Sequence, residues 1–148
     1  MRRTRVDGLK FQSDFVAAIE KSDIPAYVMR LYLPGAAQAN VRNLADYVIF
    51  SKSAIIVEVK ETKKSSFSLN TFQQKEEVDK FKSVFLTLAR NNGELPSYRL
   101  AILIHFITEN VYSLYYLDTG DYLILHPNDE NSISFSALPE AIKFLLSN

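Results

Sequence analysis

The sequence predicts a single mixed α/β (α+β) domain spanning residues 1–148, a central mixed β-sheet flanked by helices in the order α-β-β-β-α-β-β-α. Three observations predict it. Apolar residues recur at helical spacing near both ends of the chain and once in its middle. Between them lie short runs rich in Val, Ile, Tyr and Phe, bounded by turn residues, which read as strands. No repeat, low-complexity tract or linker divides the 148 residues, a length that fits one domain with a sizeable core. Helices before and after a central set of strands are expected to flank one sheet.

Each element has its own warrant. Asp7 is a plausible N-cap for a first helix through Phe11, Phe15 and Ile19, ending near Lys21-Ser22-Asp23 before Pro25. Ala26 to Leu33 reads as a strand that Pro34-Gly35 breaks. Asp46 to Phe50 and Ala54 to Lys60 read as two strands joined by the short turn Ser51-Lys52-Ser53. From Asn70 the period becomes helical through Phe72, Val78, Phe81, Phe85 and Leu88, and Asn91-Asn92-Gly93 stops it. Tyr98 to Phe106 and Val111 to Leu117 read as strands, Tyr122 to Leu125 is ambiguous, and Pro127 to Asn131 reads as a loop. A last helix runs from about Leu138 to Leu146, with Pro139 suited to its first turn.

Composition narrows the function classes. Hydrophobic residues make up 47% and charged ones 23%, the balance of a globular chain rather than a disordered one. No run approaches eighteen apolar residues, so no membrane partner is expected. With no cysteine there is no disulfide framework and no thiolate zinc site, and two scattered histidines do not suggest a histidine cluster. A cytoplasmic, intracellular protein is the plain expectation. Net charge is zero, but residues 1–74 hold 11 Lys/Arg against 7 Asp/Glu while residues 75–148 hold 6 against 10. The basic half is therefore the better candidate for a face that meets a polyanion.

That half also carries the sharpest chemical signal. Asp46 precedes one apolar segment, and Glu58-Val59-Lys60 lies inside the next. Strand alternation puts Ile56, Glu58 and Lys60 on one face, with Glu58 and Lys60 roughly 7 Å apart. A carboxylate amid aliphatic residues is costly to bury unless it is paired or bound to a metal. If that face is open to water, Glu58 and Lys60 are merely the polar side of a hairpin. On the functional reading, Asp46 and Glu58 hold Mg²⁺ or Mn²⁺ with the backbone carbonyl of Val59, and Lys60 orients a water or stabilises developing charge. Thr62-Lys63-Lys64-Ser65-Ser66 then offers cations and hydroxyls to flanking phosphates, and Arg3 and Arg5 are candidates for a basic arm on a DNA backbone.

Asp46…Glu58-Val59-Lys60 resembles the PD-(D/E)xK nuclease pattern. The run from Val59 to Phe72, with Lys60-Glu-Thr-Lys63, then Ser66-Phe-Ser-Leu69 and Asn70-Thr-Phe72, is similar to the corresponding run of RecU-type Holliday junction resolvases. Gly8-Leu-Lys-Phe11 and Asp46-Tyr47 resemble further parts of that family, over about residues 1–90. The resemblance implies a restriction-endonuclease-like fold and a Mg²⁺- or Mn²⁺-dependent DNA endonuclease, usually a homodimer, acting in recombination, repair or phage DNA processing. It implies Asp46 and Glu58 as metal ligands, Lys60 as the catalytic lysine and Gln74 as a glutamine facing the site. The chain departs from the family at Gln12, where a Glu is usual, leaving Asp14 as a nearby carboxylate. It departs again in the twelve residues between Leu33 and Asp46, where the family inserts a long stalk. The alternatives are another nuclease of the same fold, of flap, nick or restriction type, and a non-catalytic DNA-binding or assembly module.

Overall fold

The structure, a computed structural model, describes residues 2–31, 45–69, 75–120 and 122–147, with side chains described from Lys10 onward. Helix α1 spans Arg2–Lys21, β1 Tyr27–Arg30, β2 Tyr47–Phe50, β3 Ala54–Thr62 and β4 Phe67–Ser68. Helix α2 spans Lys75–Asn92, β5 Tyr98–Phe106, β6 Val111–Tyr116, β7 Ile124–Leu125, β8 Ile133–Phe135 and α3 Leu138–Ser147. Six strands form one sheet in the order β1-β2-β3-β5-β6-β8, and β4 pairs with β7 in a separate small ribbon. β3 and β5 run parallel and every other pair in the large sheet is antiparallel, which makes it a mixed sheet.

The parallel pair is the spine. Ala54 to Thr62 lie beside Tyr98 to Phe106, residue for residue, over nine positions. Because β5 is covered on both faces, it is almost continuously apolar rather than alternating. Ala101 and Leu103 point to one core with Phe11, Phe15, Ile19, Ile55, Val57 and Val59. Leu100, Ile102, Ile104 and Phe106 point to the other, with Val78, Tyr115 and Leu125. Helices α1 and α3 cover the first face, and α2 lies on the second. Burying a side chain such as Phe15 contributes about 1.5–3 kcal/mol, so these two clusters hold the sheet between its helices. At the start of β5 the guanidinium of Arg99 donates to both oxygens of the fully buried Asp118, at 2.9 and 3.0 Å. Asp118 also accepts the Leu100 N–H at 2.7 Å, and so ties the chain after β6 to β5.

Several sequence expectations meet corrections. Helix α1 begins at Arg2, so Asp7 lies within it rather than capping it. Nothing in Arg2-Arg-Thr-Arg-Val6 breaks a helix, and the apolar stripe merely starts later than the helix does. The expected loop from Pro127 to Asn131 is present, and beyond it Ile133–Phe135, which the sequence reading left unassigned, adds an edge strand to β6. Ile124–Leu125 resolves the ambiguous stretch as a strand against Phe67–Ser68. Strands of two or three residues are too short to carry a period, and their neighbours decide them. At the other end of α2, Gly93 adopts a φ of 73° and its N–H donates to Ala89 O at 3.0 Å, the left-handed helix stop expected there. The segments that would start the middle helix (70–74) and hold the stalk position (34–44) lie outside the described residues.

Candidate active site

Alternation along β2 and β3 decides where the polar residues go. Tyr47 and Ile49 belong to the α1 core, as do Ile55, Val57 and Val59. Asp46, Glu58 and Lys60 therefore project from the opposite face, the one that carries Ile56 and the second core. Glu58 lies beside Ile102 of β5 and is only 3% exposed. It is not the solvated side of a hairpin.

Three interactions arrange the group. The backbone N–H of Val59 donates to Asp46 Oδ2 at 2.9 Å, in the place where a strand partner would otherwise accept. The N–H and C=O of one strand residue leave on the same side of the strand. The Val59 carbonyl therefore shares the edge that Asp46 occupies. Lys60 Nζ stands 3.1 Å from Glu58 Oε2. The other oxygen, Glu58 Oε1, is buried without a hydrogen-bond partner. Glu58 and Asp46 are linked in turn by charge and by a side-chain hydrogen bond between their carboxyl groups.

Those charges perturb each other. Burial pushes the Glu58 carboxyl up, the negative charge of Asp46 pushes it further, and Lys60 opposes both, leaving it at about 7 instead of the ordinary 4.5. Burial also raises Asp46, against the Val59 N–H, Lys60 and Arg30, which favour its ionised form. The raised Glu58 carboxyl therefore takes up a proton far more readily than an ordinary glutamate. A buried carboxylate with an orphaned oxygen, beside a half-buried second one, is what a hard cation relieves: it supplies the missing partner and cancels the repulsion. The donor atoms are all oxygens, as Mg²⁺ and Mn²⁺ prefer. The residues present fit such an ion. Among the described residues no cluster of three His, Cys, Asp or Glu gathers. Backbone oxygen and water would therefore have to complete the coordination of an ion held by the pair.

The remaining candidates fall in different places. Thr62 ends β3, and its Oγ1 accepts the Lys64 N–H at 3.1 Å, so the turn after the strand is braced. Lys63, Lys64 and Ser65 are exposed beyond it, and Thr108 donates to Lys63 O at 3.0 Å. Gln12 is not brought to the carboxylates. It lines a groove between α1 and the first two strands with Val28, Arg30 and Tyr47, on the other face. Asp14 pairs with Lys10 at 3.1 Å and lines a cleft of about 230 Å³ with Glu61, His105 and Tyr112. There His105 Nδ1 meets Glu61 Oε2 at 2.7 Å, and the His105 ring stacks on Tyr112 at 4.2 Å. Glu61 thus faces away from Glu58, as three-residue spacing in a strand requires. Gln74 and the side chains of Arg3 and Arg5 lie outside the described residues. The reading of single residues missed the role of the Val59 N–H and the electrostatic reach of Arg30. Both depend on strand pairing, which no sequence signal in the two residues displays.

No family model matches the chain, and no curated protein sequence matches it. Among solved structures, the fold matches that of Archaeoglobus fulgidus Hjc, a Holliday junction resolvase from an archaeal hyperthermophile. The match has a TM-score of 0.51 at 13% identity, and covers 90% of this chain and 98% of that one. The mixed sheet flanked by helices is thus an architecture that this chain shares with that protein. No described helix is long and apolar enough to cross a membrane.

Proposed function

We propose that this chain is a metal-dependent DNA endonuclease that hydrolyses phosphodiester bonds in branched DNA, in the manner of a Holliday junction resolvase. The observation that carries the reading is buried Glu58 beside half-buried Asp46, with Glu58 Oε1 unpartnered and Lys60 3.1 Å from Oε2. The Hjc-like fold and the RecU-like run from Val59 to Phe72 support it. Asp46, Glu58 and the Val59 carbonyl are the ligands for Mg²⁺ or Mn²⁺. When bound, the ion lowers the pKa of a water and neutralises phosphate charge. The chain's own groups do the rest. Asp46 is fixed by the Val59 N–H, which preorganises its carboxyl group. Lys60, 39% exposed at its side chain, reaches from the buried carboxylate to the solvent where a phosphate arrives. It orients the attacking water and stabilises charge that develops on the phosphate. Thr62, Lys63, Lys64 and Ser65 take the next phosphates, and Arg3, Arg5 and Gln74 are the further candidates that the sequence offers. Cutting both strands of a junction calls for two such sites, hence a homodimer, acting on intracellular DNA.

The test is cleavage of four-way junction, flap and linear duplex DNA with Mg²⁺, with Mn²⁺ and with EDTA. Metal-dependent cutting that Glu58→Ala and Lys60→Ala each abolish is the expected result. DNA binding with no cutting of any of the three substrates would replace the enzyme by a binding module.

A further inference from the structure

The face that carries Asp46, Glu58 and Lys60 continues across β2 onto the edge strand β1. Its character changes there. Tyr27 is 64% exposed, Phe50 47% and Met29 44%. Register makes Tyr27 the direct partner of Phe50, and Met29 that of Val48, so four apolar side chains share one face. Val48 in turn pairs with Ile56, two residues before Glu58 on the same face. Nothing about folding requires two aromatic rings to face water side by side, and exposed apolar patches of this kind mark binding surfaces.

We infer that Tyr27 and Phe50, with Met29 beside them, form a stacking platform for unpaired nucleobases of the DNA strand whose phosphate lies at Asp46 and Glu58, an inference which rests on the nuclease reading of those residues. Three observations select this occupant. First, in a duplex the bases cover each other and offer only their edges in the grooves. Flat apolar rings suit nucleotides that have left the stack. Second, the surroundings suit a polyanion. Asp46 is the single acidic residue between Ile24 and Val57, while exposed Lys52 sits in the turn beside Phe50 and Lys60 lies past the carboxylates. Third, the spacing fits. Asp46 and Phe50 are four residues apart, about 13 Å along a strand, a span that a few nucleotides of single strand cover. The platform thereby assigns a substrate class, DNA with unpaired nucleotides next to the scissile phosphate.

The test is fluorescence anisotropy of the full chain in EDTA, with a single-stranded oligonucleotide and a blunt duplex of the same sequence at one salt concentration. Tyr27→Ala with Phe50→Ala is expected to weaken single-strand binding at least about tenfold and duplex binding no more than about twofold. Tyr27→Phe with Phe50→Tyr keeps both rings and should bind as the unaltered chain does. Leucine at both positions keeps apolar bulk without a ring face and should fall with the alanine variant. The platform is overturned by alanine or leucine variants that bind single strands normally, or by equal losses on duplex. A fall from dimer to monomer in the alanine variant on sedimentation would also overturn it, assigning the surface to a second copy of the chain. Cleavage with Mn²⁺ is scored apart from binding. Ring-dependent binding without cutting removes the nuclease reading alone, whereas cutting with ring-independent binding removes the platform alone.

Discussion

Replacing Glu58 by Gln should make the metal-free protein more stable at pH 8 while it abolishes cleavage. The carboxyl is 3% exposed and displaced from 4.5 to about 7 by burial and by Asp46. At about 1.4 kcal/mol for each pKa unit, that displacement is worth about 3 kcal/mol. The folded-state value is the raised one, so the fold favours the protonated carboxyl. That contribution is fully present below the unfolded-chain value of 4.5 and is lost as pH rises through about 7. Asp46 is raised too and acts in the same direction. Glutamine keeps the shape, can offer its oxygen to Lys60, and cannot ionise. In EDTA at pH 8 the Glu58→Gln protein should exceed wild type by about 3 kcal/mol, or roughly 6–12 °C in melting temperature for a chain of this size. At pH 4.5 most of the difference should disappear. Saturating Mn²⁺ at pH 8 should stabilise wild type by a few kcal/mol, about 2.7 at a hundredfold excess over Kd, and the variant far less. Denaturant melts at the two pH values, with and without metal, measure all four quantities. A Glu58→Gln protein that melts below wild type at pH 8, or a difference independent of pH, would refute the charged-pair account.

Three further outcomes are expected. Asp46→Asn removes the charge beside Glu58, so the Glu58 midpoint in a carboxyl-carbon NMR titration should fall from about 7, yet stay above 4.5 because burial remains its first cause; an unmoved midpoint would show that the two carboxylates do not interact. Lys60→Met should cut cleavage by about 10²- to 10³-fold while DNA binding in EDTA stays close to wild type, and equal losses in both would make Lys60 a DNA anchor instead. Glu61→Gln should leave metal-dependent cleavage within a few-fold of wild type, since Glu61 pairs with His105 on the other face of the sheet; loss of cutting there would place the functional carboxylate wrongly.

Much of the fold was legible because long elements carry a period. Phe11, Phe15 and Ile19 mark α1, and the nine apolar-rich positions of β5 mark a strand covered on both sides. The misses have a shared cause. β4, β7 and β8 are two or three residues long, and pairing with a neighbour creates them rather than any local pattern. The start of α1 was missed because its first turns carry charge rather than the apolar stripe that betrays the rest.

The candidate site divides along the same line. Alternation, a property of the strand itself, already placed Ile56, Glu58 and Lys60 on one face. Sequence left open whether that face met water or a core, because exposure belongs to whatever packs against a strand. The tertiary structure decided it: Ile102 stands beside Glu58, Asp46 arrives from the neighbouring strand to take the Val59 N–H, and Glu58 Oε1 is left without a partner. Only pairing across β1 and β2 brings Tyr27 beside Phe50, twenty-three positions apart in the chain. The residue types of the candidate site were therefore written locally. Their proximity, and the way Asp46 and Glu58 perturb each other, exist only once distant strands share a sheet and exclude water from it.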